Sequence, residues 1–256
     1  MPKTGLVKAD CTKAVPLMRA SLLLLALMLV GGCAHRVAEP ELDPDPWEGF
    51  NRKVFAFNNT VDQYAYKPAA RAYLKITPDW LNEGINRFFG NLSDLRSGVN
   101  GMLQWRWSVA GENLGRFAVN STLGVAGFFD VASEIELARS DQDFGLTLGR
   151  WGVASGPYIV IPFMGPATIR STGGQVPDYW LWLPNYIDDD LTSYTLTALS
   201  LLDRRARLLR MEGAIVGDRY TFIRDTWLQN RRTKLGMAPE EDDFGEGFEP
   251  AGDDGW

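Results

Sequence analysis

The apolar positions Leu81, Ile85, Phe88, Leu92, Leu95, Val99 and Met102 alternate by 4 and 3 over six intervals, a rhythm that only an α-helix gathers onto one face. Thr77-Pro78 supplies the start signal. Gly84, Gly90 and Gly98 inside the pattern are expected to weaken the helix and break it into pieces. Upstream, Trp47, Phe50, Val54, Phe57, Val61 and Tyr64 recur at spacings of 3 and 4, predicting a helix with one aromatic face that stops before Lys67-Pro68. Weaker helical patterns cover about residues 108–121, 130–138, 189–211 and 217–234. Strand alternation is scarce and no repeat of fixed period is visible. The expected fold is therefore mainly α with one short hairpin. A chain of 256 residues that is 45% hydrophobic and 23% charged supports one globular domain, expected over residues 47–238.

One segment resists that pattern. Trp151 to Ile169, nineteen residues, holds no ionisable acid or base, which is nearly enough apolar chain to span a bilayer. Gly152, Gly156, Pro157, Pro162, Gly165 and Pro166 lie inside it, and a lipid-exposed span cannot leave so many backbone groups unpaired. An apolar Gly/Pro-rich hairpin or re-entrant loop is expected. Shortly after it, Tyr179, Trp180, Trp182 and Tyr186 crowd eight positions, and such rings suit the headgroup level of a membrane. A buried core crossing is the alternative for both stretches.

Histidine and cysteine narrow the chemistry. His35 is the only histidine and lies two residues past Cys33, outside the expected folded body, so Ser-His-Asp and Cys-His sites and His-ligated metal centres are excluded there. Residues 1–32 carry Lys3, Lys8, Lys13 and Arg19 ahead of the apolar run LLLLALMLV, which reads as a secretory leader; Met18 offers an alternative start to Met1. Val30-Gly31-Gly32-Cys33 resembles a bacterial lipobox, which implies a diacylglycerol and an N-acyl chain on Cys33 and no other cofactor. Ala34 after the cysteine resembles outer-membrane sorting. Residues 33–46 hold three prolines and four acids and read as the lipidated end and a tether. Without residues 1–32 the chain has 22 Lys+Arg against 31 Asp+Glu, a net charge of −9 rather than −6, which argues against nucleic acid as a partner. Eight of those acids lie in residues 239–256, a Gly-rich tail expected to be disordered, so the body is nearly neutral.

Several ordered blocks resemble a known family. Asp45-Pro46-Trp47-Glu48-Gly49-Phe50-Asn51-Arg52 resembles the DPLEGFNR opening of the VacJ/MlaA family of outer-membrane lipoproteins, and Phe55-Ala56-Phe57-Asn58 continues it. Asn86 to Leu92, Arg116 to Gly124, Gly127 to Ala132, Asp143 to Gly149 and Gly152-Val153 with Gly156-Pro157-Tyr158 follow in order, and Pro162-Phe163, Gly165-Pro166 and Arg170 complete the set. The resemblance spans about residues 45–225. Trp105 stands where the family commonly has a glycine. The resemblance implies a ring-shaped helical protein in the inner leaflet of the outer membrane, with a central amphipathic channel. It implies no enzyme activity. It also implies removal of phospholipids that have strayed into the outer leaflet, their transfer to a soluble periplasmic carrier, and a trimeric porin as membrane partner.

Residue roles follow as expectations. Gly152 and Gly156, matching glycines that flank the family's hairpin, are candidate hinges for the loop Val153 to Pro166; a rigid turn is the alternative. Arg150 and Arg170 flank the apolar segment and are candidate contacts for lipid phosphates, the alternative being solvated or carboxylate-paired arginines. The run Arg204, Arg205, Arg207, Arg210 suits a headgroup layer or the carrier, or a solvated helix face. Two rival functions remain. One is a carboxylate-only glycosidase using Glu134, Glu136, Asp141 and Asp143, and the other is a structural porin-associated lipoprotein without transport activity.

Overall fold

The computed structural model describes residues 44–215 and 217–237; the leader, Cys33, most of the tether and the acidic tail lie outside the described residues. Helix α1, Glu48–Val61, begins on the first aromatic pattern, but it does not end before Lys67-Pro68 as expected. Asp62–Tyr66 widens into a π-turn, with the Lys67 N–H donating to the Asp62 carbonyl five residues back, and the chain runs on into α2, Lys67–Ile76. Pro68 falls in the first turn of α2, where its missing N–H costs little. The widened turn is what lets a helical path cross a proline.

The second pattern becomes α3, Asp79–Leu103, unbroken across Gly84, Gly90 and Gly98 and across Gly101 near its end. Packing overrides their low propensity. A Cβ at Gly98 would stand 2.6 Å from Leu114 Cγ on α4, Trp107–Thr122, which runs back against α3. The face that α3 buries also differs from the one its apolar rhythm marks. Asn82, Phe89, Asn91, Asp94, Ser97 and Asn100 are buried, whereas Leu81, Ile85, Phe88, Leu92, Leu95 and Val99 are half-buried and Met102 is exposed.

The polar face serves the chain between α4 and the next long helix. Helix α5, Val131–Glu134, is all that forms of the pattern expected over residues 130–138, so the backbone there lacks a full helical ladder. Side chains of α3 and α4 replace it. Arg116 donates to both oxygens of Asp130 at 2.7 and 2.8 Å and to the Leu137 carbonyl at 2.6 Å. Asn120 donates to Asp130 at 3.0 Å and accepts from the Ala132 N–H at 2.8 Å. Asp94 takes Arg139 through two bonds of 2.9 and 2.8 Å. Each pairing satisfies groups that burial would otherwise penalise.

Helix α6, Phe144–Arg150, is capped by Asp143, which accepts from the Leu146 N–H at 2.8 Å. The expected hairpin follows. Strands β1, Tyr158–Ile161, and β2, Gly165–Thr168, pair antiparallel with Tyr158 opposite Thr168 and Ile161 opposite Gly165. A Thr168/Ser171 capping box then starts α7, Ile169–Trp180, and α7 packs so closely on α6 that a Cβ at Gly174 would meet the Gly145 N at 2.4 Å. Helices α8, Asp190–Met211, and α9, Arg219–Leu235, match the last two expected patterns. Two small apolar cores result. Ala70, Tyr73 and Ala206 join α2 to α8, and Tyr158, Val160 and Tyr220 join the hairpin to α9. The described chain is mainly α, as expected.

Candidate functional site

The hairpin is held from below by the polar face of α1. Asn51 and Asn58 lie seven residues apart, two helical turns, and so point the same way. The Asn51 amide accepts from the Val160 N–H at 2.9 Å and donates to the Tyr158 carbonyl at 3.1 Å and to Asp45 at 2.7 Å. Asn58 repeats the pattern at the tip, accepting from the Phe163 N–H at 2.8 Å and donating to the Ile161 carbonyl at 2.9 Å. Helix α1 thus completes the free edge of β1 with two amides instead of a third strand. Asp45 is itself buried and accepts from the Tyr220 hydroxyl, with Arg224 at 3.5 Å. Packing has therefore begun by Asp45, two residues before Trp47.

The base of the hairpin is buried and its tip is not. Tyr158 and Val160 are each 1% exposed, while Phe163 and Met164 are 62% and 70% exposed. Gly152 and Gly156 both adopt left-handed backbone, at φ 87° and 66°, a conformation that suits glycine whether the segment moves or stays. Arg170 is buried and donates to the Val153 carbonyl at 2.7 Å, tying the segment between the glycines to the start of α7. Arg150 is half-buried and donates to the Lys234 carbonyl at 2.9 Å. Among the described residues it forms no ion pair; burial, and then Arg106, lowers its pKa. The exposed rings of Trp105, Trp107 and Trp151 stand next to these two arginines in the chain. The basic run divides: Arg204 and Arg210 are exposed, Arg207 pairs with Asp203, and Arg205 pairs with Asp62 and Glu212.

Of the four carboxylates of the glycosidase reading, Glu134 and Glu136 are exposed and the two aspartates are engaged in structural pairs. Asp141 pairs with Arg96 and Lys234, and Asp143 caps α6 and pairs with Arg231. Burial pushes both carboxyls up, but the cationic partners prevail and leave them below the usual range, as structural ion pairs do. Among the described residues there is no cluster of His, Cys, Asp and Glu able to hold a metal ion.

The larger feature is an inverted polarity. Among the described residues sixteen polar or charged side chains are buried against twelve apolar ones, while thirty-one large apolar side chains are exposed. Those exposed include Trp180 and Tyr186 of the aromatic run, the hairpin tip and Leu191, Tyr194, Leu201 and Leu208 on α8. An apolar groove of about 280 Å³ also opens between Pro166 and the Phe222, Ile223 and Trp227 side of α9. No helix among the described residues is long and apolar enough to cross a membrane. A surface this apolar suits contact with lipid rather than water.

The pattern of the MlaA lipoprotein family matches residues 43–234. The chain belongs to the MlaA lipoprotein family. The MlaA intermembrane phospholipid transport system lipoprotein of Escherichia coli is 34% identical over 83% of this chain and 86% of its own length, and that of Haemophilus influenzae is 30% identical over 83% and 88%. An uncharacterised protein of Rickettsia prowazekii is 38% identical over 62% of this chain, and the chain spans 64% of that relative's length. A solved chain from work on the structural basis for maintenance of bacterial outer membrane lipid asymmetry matches with a TM-score of 0.66 at 33% identity, over 75% of this chain and 98% of its own. Within the MlaA opening motif, Asp45 and Asn51 are the residues that fasten the hairpin, and Asn58 extends the fastening to its tip. Periodicity alone does not find these roles, because it ranks apolar residues and passes over the amides between them. Tyr220 and Arg224, far along the chain, carry no local signal that they face Asp45.

Proposed function

We propose that this chain is an outer-membrane lipoprotein that removes mislocalised phospholipids from the outer leaflet and passes them to a soluble periplasmic carrier, so maintaining lipid asymmetry. The observation that carries this reading is the inverted polarity: buried asparagines, aspartates and arginines within, exposed tryptophan, tyrosine and leucine without. A protein seated in one leaflet needs an apolar exterior, and one that conducts a charged headgroup needs polar groups inside. In this reading Cys33 carries the acyl chains, the helices form a ring around an amphipathic channel, and a trimeric porin is the membrane partner. Gly152 and Gly156 are the turns about which the hairpin shifts, which requires release of the Asn51 and Asn58 bonds. Arg150, with Arg106 rather than the buried Arg170, meets lipid phosphates at the rim. The chemistry needed is transfer without bond making, and no catalytic group is assigned.

Deletion of the coding sequence, with complementation by wild type and by Cys33→Ala, tests the reading. Phospholipid is expected to accumulate in the outer leaflet of the deletion strain and to be cleared by wild type but not by the unanchored form. An unaltered outer leaflet in the deletion strain would overturn it.

A further inference from the structure

The π-turn between α1 and α2 opens onto a recess of about 490 Å³, lined by Asp62, Lys67, Arg71 and Arg219 with Asn59 and the ring of Tyr64. That volume lies within the range of small-ligand pockets, about 300–1,000 Å³. The surrounding charges do not cancel. Asp62 is taken by Nε and one Nη of the Arg205 guanidinium, and the two oxygens of Glu212 are taken by Lys67, at 2.6 Å, and by Arg205. Arg205 and Lys67 therefore hold both carboxylates at hydrogen-bond distance. Arg219 reaches Glu212 only at 3.8 Å and otherwise donates to Asn59 at 2.9 Å, while its Nε finds no acceptor among the described residues. Arg71, four residues after Lys67 on the same face of α2, is exposed and makes no ion pair or side-chain hydrogen bond among the described residues.

Four cations stand against two carboxylates; Arg71 is uncommitted among the described residues, and Arg219, from a different helix, is held only by Asn59 and a long pair to Glu212. The geometry points to a binding site for a phosphate-ester anion in this recess, with Arg71 and Arg219 as its forks and Lys67 as a third donor. Guanidiniums match phosphate oxygens in pairs where a lone ammonium acts as a point charge. The polar lining suits a headgroup and not an acyl chain, and Tyr64, 78% exposed, is part of it. A phospholipid headgroup and free phosphate share this chemistry. The choice of the phosphodiester as probe rests on the phospholipid reading above; the charge arrangement does not.

The full chain, purified in a nonionic detergent, is titrated calorimetrically with dihexanoylphosphatidylglycerol, with dihexanoylglycerol, which lacks the phosphate, and with inorganic phosphate. The phosphodiester is expected to bind, roughly tenfold more weakly to Arg71→Ala and more weakly still to Arg71→Ala/Arg219→Ala, with Arg71→Lys recovering part of the loss and the exposed Lys53→Ala unchanged. Inorganic phosphate losing its binding in the same variants would support the site with free phosphate as a source, and no binding of inorganic phosphate would assign it to the lipid. Phosphodiester affinity equal in wild type and Arg71→Ala would overturn the site, as would equal losses for the lipid without phosphate. Arg71 is exposed and without a side-chain partner, so that variant decides even if the double variant fails to fold. Binding is read apart from transport: a chain that binds the phosphodiester but never restores the outer leaflet would sink the transport reading and keep the site.

Discussion

Trp105 is held at φ 58° with its ring 76% exposed, a combination that soluble folds avoid, since a bulky residue in left-handed backbone costs on the order of 1 kcal/mol. The tight turn from α3 into α4 demands that conformation, and glycine would meet it without strain. The ring's exposure beside Trp107, with centroids 5.7 Å apart, says what the strain secures: a large amphipathic side chain at the rim of the apolar surface. Trp105→Gly should therefore raise stability in detergent by roughly 0.5–1 kcal/mol while weakening retention on phospholipid vesicles. Melting temperature and vesicle flotation measure the two effects, and a variant both less stable and fully retained would contradict the assignment. Asn51 sits at the opposite extreme, wholly buried with every amide bond directed at the hairpin or Asp45. Asn51→Ala should cost about 2–3 kcal/mol, because it orphans buried partners as well as losing its own bonds, and a loss under 1 kcal/mol by denaturation would show that the clamp is dispensable. Asn58→Ala, at the exposed tip, should cost less and act on hairpin mobility, seen as faster amide exchange at Phe163.

At the level of elements, the chain between α4 and α6 depends on charge. Burial raises the Asp130 carboxyl, but Ser133, Asn120 and Arg116 donate to it and hold it at about 2. Its folded-state pKa lies below the unfolded one, so the stabilisation is complete above the ordinary value of 3.8 and is lost as pH falls through about 2. Asp94 runs the other way: burial outweighs Arg139 and Arg116 and keeps its carboxyl above the usual range. Between pH 5 and 2 stability should fall by about 2 kcal/mol more in wild type than in Asp130→Asn; parallel curves would refute the linkage. Close helix approach is a second dependence. Gly174→Ala places a Cβ 2.4 Å from a backbone nitrogen of α6 and should lower stability by about 1–3 kcal/mol, an effect that Gly173→Ala, facing open space one residue earlier, should not reproduce. Long helices with apolar rhythm were legible in the sequence, and so was the hairpin, because the glycines and prolines that bar a helix over residues 152–166 are the residues a tight turn uses. The unbroken passage of α3 through Gly98 was not legible, because what fills that space is Leu114, sixteen positions away. Nor was the passage past Pro68, where one widened turn replaces the expected stop. Of the site, the flanking glycines and arginines stood out locally, while the clamp of Asn51 and Asn58 depends on strands about a hundred residues downstream.

Across the whole molecule, the apolar pattern of α3 and the burial of its polar face are two views of one arrangement. In water a helix turns its apolar stripe inward; here buried asparagine and aspartate hold the loops, and the apolar stripe is left only half covered. Phe163→Glu combined with Met164→Glu, at the exposed hairpin tip, should leave the fold intact and reduce vesicle binding severalfold; unchanged flotation would remove the tip from the lipid-facing surface. The inverted polarity separates two problems that most chains solve together. For an ordinary domain, folding hides the sticky surface and so ends the risk of aggregation. For this chain that risk outlasts folding, since the finished structure is still covered with tryptophan, tyrosine and leucine. A measured free energy of unfolding would then say little about how long the molecule stays dispersed in an aqueous compartment.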